Sequence, residues 1–463
     1  MKVSDITPPK GGVFAIAAVA ALLWLPVGSA QAQARIDGVT SASNNFSFTA
    51  GAGEVSTADG GSIHFWGFHA PGSNPAEVPQ YPGPTLILNQ NDTVTISLTS
   101  NLPFGKCTSM VFPGHNVSVV GGTGDKDGEL TRETCPAGSL PGGAGGTPVQ
   151  YTFTATEPGT YMYYAGTDPE LQIEMGLVGA IIVRPSQGEG FAYNHLETGF
   201  DHEVMFLLTS MDPKIHQLAE QNRFGEIDLT ARWPVYWFIN GRAAPDDLAD
   251  PFVAWLPHQP YNCTPRMTPG QRVLVRILGG DQDQHPLHLH GNHYSEIARY
   301  GRLLLLDDGQ TLAPRKRFTT LSVPGQTVDA IFEWTGEKLG WDIYGGSDVN
   351  LPHTCNGKAV GQVQDPGAPT YDPVTHEYCA DHGKPFPVVL PENQNLAFGG
   401  WWSGSPYMGS AKPLPPGEGG LNPNSGYFFM WHSHTEKELT NFDIFPGGML
   451  SMMVVEPPGT TIP

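Results

Sequence analysis

The chain has 463 residues, with 24 Lys and Arg against 45 Asp and Glu and a formal net charge of −21. A surface this acidic repels nucleic acid and anionic lipid, so the sequence excludes binders of either. Charged residues at 15% and apolar residues at 39% indicate a packed core, and 57 Gly with 43 Pro indicate a turn-rich, all-β chain rather than a helical one.

In chain order, Lys2 and Lys10 precede an apolar run from Val13 to Val27, and small residues up to Ala34 offer cleavage sites ending at Ala32 or Ala34. This pattern predicts a signal peptide over residues 1–34. The run is about 15 residues, short of the roughly 20 that a spanning helix needs. Export to the periplasm, the outer surface or the medium is therefore expected, with no membrane span left after cleavage. An exported chain is free to form disulfides. Cys107 with Cys135 would close one Gly-rich loop, and Cys355 with Cys379 a second, although spacing does not give connectivity. Cys263 is left over and reads as a small buried hydrophobe.

Strand signals then recur between turn residues. Thr85–Leu88 and Thr93–Leu98 flank an Asn91-Asp92 turn, Tyr151–Ala155 alternates, and Tyr161–Tyr164 and Leu177–Val183 follow. A second unit has a strand at Glu203–Leu208, a helical or irregular stretch over 211–230, and a further strand after Pro269-Gly270. Gly159–Gly166 resembles Tyr427–His434 in position, and Met175–Pro185 resembles Gly447–Pro457, a weak internal repeat. The expected domains are 35–190 and 191–463, the second carrying a Gly/Pro-rich insertion at about 345–425 that holds Cys355, Cys379, His353, His376 and His382.

Histidines concentrate in two places. His285-Pro-Leu-His288-Leu-His290-Gly-Asn-His293 holds four, and His432-Ser-His434 adds two. In a strand, side chains at i and i+2 share a face, so His288 with His290 and His432 with His434 present paired imidazoles. Two such strands facing each other would present four imidazoles to one spot, which suits copper or zinc.

The string His285–Gly291 resembles the H-P-x-H-L-H-G motif of the multicopper oxidases. Pro82-Gly-Pro-Thr, Gly159-Thr-Tyr, Pro269-Gly-Gln-Arg and Trp431-His-x-His stand in the order of that family. The similarity spans most of 78–185 and 235–458 and is closest to the two-domain type. It implies two cupredoxin-like Greek-key β-sandwiches, copper as cofactor, and, as in some members, a homotrimer. It also implies that His285 falls on a type 1 copper ligand, His288 on a type 2 ligand, and His290, His432 and His434 on type 3 ligands. The chain departs from the family at the remaining motifs. Val111–Gly114 and Tyr164–Gly166 stand where two histidine pairs are expected, which leaves half of the eight cluster ligands. Ser433 stands at the type 1 cysteine, Glu438 at a later type 1 histidine, and Met449 follows late. His115 is the one nearby replacement ligand, and His293 reads as a supporting or exposed residue. Glu436 and Glu438 are left open as ligands, as orienting groups, or as a solvated acidic turn.

The expected function is an exported copper-binding oxidoreductase with a reduced site of one or two ions rather than four, at His288, His290, His432 and His434 with His285 nearby. Its electrons would come from a metal ion such as Mn(II) or Fe(II), or from a small-molecule reductant such as a phenol, with oxygen as acceptor. The alternative is a non-catalytic copper- or zinc-binding protein of the cell envelope. A third reading, an interaction module, rests on Trp401, Trp402 and Tyr407 as a contact surface.

Overall fold

The computed structural model describes residues 35–75, 77–123, 130–337, 340, 354–359, 362–384, 427–456 and 460–462. The signal segment 1–34, His353, most of the insertion, and Trp401, Trp402 and Tyr407 lie outside the described residues. Among the described residues no helix is long and apolar enough to cross a membrane.

The strands run β1 (Asn45–Ser56), β2 (Ser62–His69), β3 (Gly83–Asn89), β4 (Thr93–Ser100), β5 (Ser118–Gly121), β6 (Val149–Thr154), β7 (Gly159–Tyr164), β8 (Val178–Arg184), β9 (His202–Met211), β10 (Tyr236–Ile239) and β11 (Arg266–Met267). They continue β12 (Arg272–Gly279), β13 (His285–Leu289), β14 (Tyr294–Arg299), β15 (Arg302–Leu303), β16 (Arg315–Arg317), β17 (Thr319–Ser322), β18 (Thr327–Glu333), β19 (Thr354–Cys355), β20 (Lys358–Ala359), β21 (Tyr427–Ser433) and β22 (Leu450–Val455). Two short α-helices interrupt them, α1 (Pro169–Glu174) and α2 (Pro213–Glu220), the latter within the stretch read from sequence as helical or irregular.

Four sheets stack as layers. The first sandwich joins the sheet β2-β1-β4-β6-β5 to the sheet β3-β8-β7. Val94, Ile96 and Leu98 on alternate positions of β4 meet Leu86, Tyr163, Ile181 and Val183 in its core. The second sandwich joins the sheet β10-β9-β12-β18-β14-β15, with β16 on β14, to the sheet β11-β22-β21-β13-β17. Parallel neighbours β1–β4, β3–β8 and β9–β12 arise because the chain crosses between layers instead of turning back in a hairpin. Asn91, in the left-handed region at φ 71°, makes the tight turn between β3 and β4. Asp92 accepts the Asn89 N–H there at 2.9 Å.

The two sandwiches meet through Met162, Val178 and Ala180 on one side and Met205, Leu207 and Leu278 on the other. Beside this patch the buried Arg276 donates to Glu203 at 3.0 Å and to Thr160 at 2.8 Å. Arg184 of the first sandwich grips the same Glu203 at 2.8 Å. The carboxylate is thus satisfied from both units, which offsets the cost of burying it. Two disulfides, Cys107–Cys135 and Cys355–Cys379, close the loops singled out in the sequence, and Cys263 is free and buried.

The core of the second sandwich centres on Trp431, buried edge-on against Phe332 at 5.1 Å and Phe206 at 5.7 Å. Its indole N–H donates to the His290 carbonyl at 3.2 Å, tying β21 to the end of β13. Phe332→Ala is expected to lower the unfolding free energy by about 3–5 kcal/mol through the cavity it leaves. Denaturant titration checks this, and a loss under about 1 kcal/mol would contradict the packing described.

Candidate metal centre

Strands β13 and β21 are antiparallel neighbours, with His288 opposite His432, Leu287 opposite Ser433 and Leu289 opposite Trp431. The two-residue period of a strand does the rest. Leu287, Leu289, Trp431 and Ser433 point into the sandwich and are fully buried. His288, His290, His432 and His434 point from the opposite, outer face. Leu-x-Leu beneath His-x-His anchors the strand while presenting the imidazoles, so core burial and site geometry come from one alternation.

The four rings form one group. Centroids lie 5.0 Å apart for His288 and His290, 5.6 Å for His288 and His432, 4.9 Å for His288 and His434, and 5.1 Å for His290 and His432. The Nε2 atoms of His290 and His432 stand 3.2 Å apart. Two nitrogens bound at about 2.0–2.1 Å to a tetrahedral ion lie about 3.3 Å from each other. This pair stands at hydrogen-bond distance, a spacing that also matches two ligands of one ion. The outer nitrogens are held from behind: His432 Nδ1 contacts the Ser433 carbonyl at 2.6 Å, and His288 Nδ1 contacts Thr319 Oγ1 at 2.6 Å. Those contacts turn Nε2 of each ring outward. Among the described residues, no set of three or more His, Cys, Asp or Glu donor atoms within 4.8 Å of one another draws on the quartet. His288 and His434 thus complete a coordination sphere only by swinging inward. The sets that do meet that limit use disulfide cysteines or the surface residues Glu54, His64 and Glu220.

The electrostatics favour neutral rings at His288 and His432. Burial, with the neighbouring His290, His432 and His434 adding to it, pushes His288 down to about 4. Burial also lowers His432, with the Ser433 carbonyl opposing. Neutral imidazoles keep the lone pairs a metal needs.

His285 is set apart from the quartet. It starts β13 on the inner face and is fully buried. Its Nδ1 meets Glu438 Oε2 at 3.0 Å and its Nε2 meets Asp281 Oδ1 at 3.1 Å. Burial alone would favour the neutral ring, but Asp281 and then Glu438 outweigh it and raise His285 to about 10. Glu438 also accepts from Ser433 Oγ at 2.5 Å. The acidic turn after His434 is therefore divided. Glu438 is buried and orients His285, whereas Glu436 is exposed, 3.5 Å from the half-exposed His434. Asp281 and Thr319 were not singled out in the sequence. Asp281 stands four residues before His285, but only the fold turns it back on the ring.

His115 does not join the group. Its ring stacks on Phe153 at 4.5 Å and Tyr161 at 4.6 Å within the first sandwich, where burial lowers it to about 4. His293 stacks on Phe318 at 3.7 Å. His376 and His382 lie by the second disulfide, away from the quartet, and His382 Nδ1 contacts the Gln362 carbonyl at 3.3 Å.

Residues 78–188, within the first sandwich, match the sequence model of a family described as multicopper oxidase. The chain is 29% identical over 166 residues to L-ascorbate oxidase of Cucurbita pepo var. melopepo, covering 35% of this chain and 26% of that protein. It is 27% identical over 166 residues to L-ascorbate oxidase of Cucumis sativus, covering 35% and 25%. The matched part spans about a quarter of the length of these relatives. A solved blue copper oxidase from Nitrosomonas europaea is 16% identical, with 89% of this chain and 85% of that one covered and a TM-score of 0.48.

Because the folded His285 titrates above the ordinary value near ~6.5, its contribution to stability is complete below ~6.5 and is lost as pH rises through about 10. His288 works the other way, and stability falls as pH drops from ~6.5 toward about 4. Nitrogen-15 NMR at about pH 8 is expected to find both His285 ring nitrogens protonated and His288 neutral. A neutral His285 would contradict the clamp.

Proposed function

We propose that the chain, whose residues 78–188 match a multicopper oxidase family model, is a cupredoxin-like, all-β member of that family and an exported copper-dependent oxidoreductase with a reduced metal site. The observation that carries the reading is the outward quartet His288, His290, His432 and His434, with the Nε2 atoms of His290 and His432 at 3.2 Å. These four residues would hold the copper, as one ion or two. Bound copper supplies a one-electron Cu(II)/Cu(I) couple. The chain's own contribution is to keep His288 and His432 neutral, to fix their orientation through Thr319 and the Ser433 carbonyl, and to leave the half-exposed His434 open to solvent.

His285 is left out of this ligand set, since both of its nitrogens are committed to carboxylates. Direct transfer between a reductant and the outer face then replaces a separate copper port. Two kinds of reductant suit that face. The net charge of −21 draws cations such as Mn(II) and Fe(II). A small organic reductant such as a phenol would meet the half-exposed His434 there. Oxygen would be the electron acceptor. Among the described residues the outer face turns away from the first sandwich of its own chain, which suits a further ligand from another copy, as in a homotrimer. If no reductant is turned over, the same quartet serves as a copper or zinc carrier of the envelope.

Mature protein purified with copper is expected to carry one or two coppers per chain by mass spectrometry, lost in His288→Ala/His434→Ala while the circular dichroism stays unchanged. Oxygen uptake with Mn(II), Fe(II) and phenols then separates enzyme from carrier. Three or more coppers per chain would overturn the reduced site, and a metal-free protein would overturn copper dependence.

A further inference from the structure

The inner face of β13 and β21 holds a second polar centre that the quartet does not use. His285, Glu438, Asp281 and Ser433 are all buried there. One carboxylate oxygen, Glu438 Oε2, meets both His285 Nδ1 at 3.0 Å and Ser433 Oγ at 2.5 Å. Asp281 takes the other ring nitrogen at 3.1 Å, and its second oxygen accepts from Ser210. The network continues outward. Arg232 Nη2 lies 3.8 Å from Asp281 and its Nε donates to Glu174 of the first sandwich at 2.5 Å.

A ring nitrogen ligates a metal through its lone pair. A ring that donates from both nitrogens has none to offer, and charge-assisted hydrogen bonds to carboxylates are the strong kind. The same centre falls on the positions where the resemblance puts a type 1 copper: His285 as ligand, Ser433 for the cysteine and Glu438 for the later histidine. The side chains present do not fit that ion. Serine offers no thiolate, and Glu438 occupies the ring nitrogen that a metal would need.

We propose that Glu438 closes this inner pocket to metal and that an imidazolium–carboxylate cluster, His285 with Glu438 and Asp281, fills the place of a metal ion as a structural tie between β13, the 436–439 turn and the first sandwich. Here His285 is a fixed cation rather than a ligand. Glu438 bridges the two strands through the hydrogen bonds it makes to His285 and Ser433. Asp281 and Arg232 carry the tie on to Glu174, so the second sandwich is braced without any bound ion. This inference stands whether or not the outer quartet proves to hold copper.

The experiment uses the full mature chain with the outer site removed by His288→Ala/His290→Ala/His432→Ala/His434→Ala, so that any copper still bound reports the inner pocket. The expected result is no copper by mass spectrometry and no blue absorption. One retained copper per chain would overturn the proposal. Adding Ser433→Cys/Glu438→His to that background is expected to bring in one copper per chain with an intense blue thiolate-to-copper band. A folded variant that gains neither would overturn the role assigned to Glu438. Glu438→Gln keeps the shape and an acceptor but drops the charge, and it guards against a failure of the larger variant to fold. It is expected to stay metal-free and to melt several degrees lower, whereas an unchanged melting temperature would overturn the structural tie.

Discussion

The two-residue period of one pair of strands governs this molecule. With His288 set opposite His432 across β13 and β21, every even position of that ladder faces outward and every odd position faces the core. The same alternation buries Leu287, Leu289 and Trp431, lifts four imidazoles to the surface, and drives His285 and Ser433 inward. A slip of one residue in register would exchange the two sets and lose both the core and the site. Trp431 opposes that slip by packing on Phe332 and Phe206 and by holding the His290 carbonyl.

Two kinds of histidine result, and their surroundings separate them. On the outer face, rings crowd one another, and burial disfavours protonation of His288 and His432. On the inner face, a single ring lies between two carboxylates and keeps its proton. The first environment suits a metal, and the second does a metal's structural work with a proton. The desolvation that penalises charge is common to both, so the partners decide the outcome.

Much of this was legible in the sequence. Gly and Pro abundance and alternating apolar runs pointed to an all-β chain, and the H-x-H spacing pointed to shared faces. The odd–even separation of His285 from His288 and His290 was also present in the sequence, but grouping residues by proximity in the motif obscured it. Glu438 was legible only as one of two acidic residues. That one is buried and the other exposed follows from the turn of residues 436–439, which folds Leu439 and Glu438 inward and Glu436 out. Asp281 and Thr319 were not legible, because the first reaches His285 across a turn and the second from the neighbouring strand β17, contacts that no spacing rule encodes. His115 looked like a replacement ligand by position, but its ring packs between Phe153 and Tyr161 in the other sandwich.

The central claim is that copper is held on the outer face with imidazole nitrogens as its protein ligands, while the inner centre stays free of metal. Copper K-edge X-ray absorption on the loaded wild-type protein tests it most directly. The account predicts a first shell of nitrogen and oxygen only, with the multiple scattering that imidazole rings produce. A short copper–sulfur distance would contradict it.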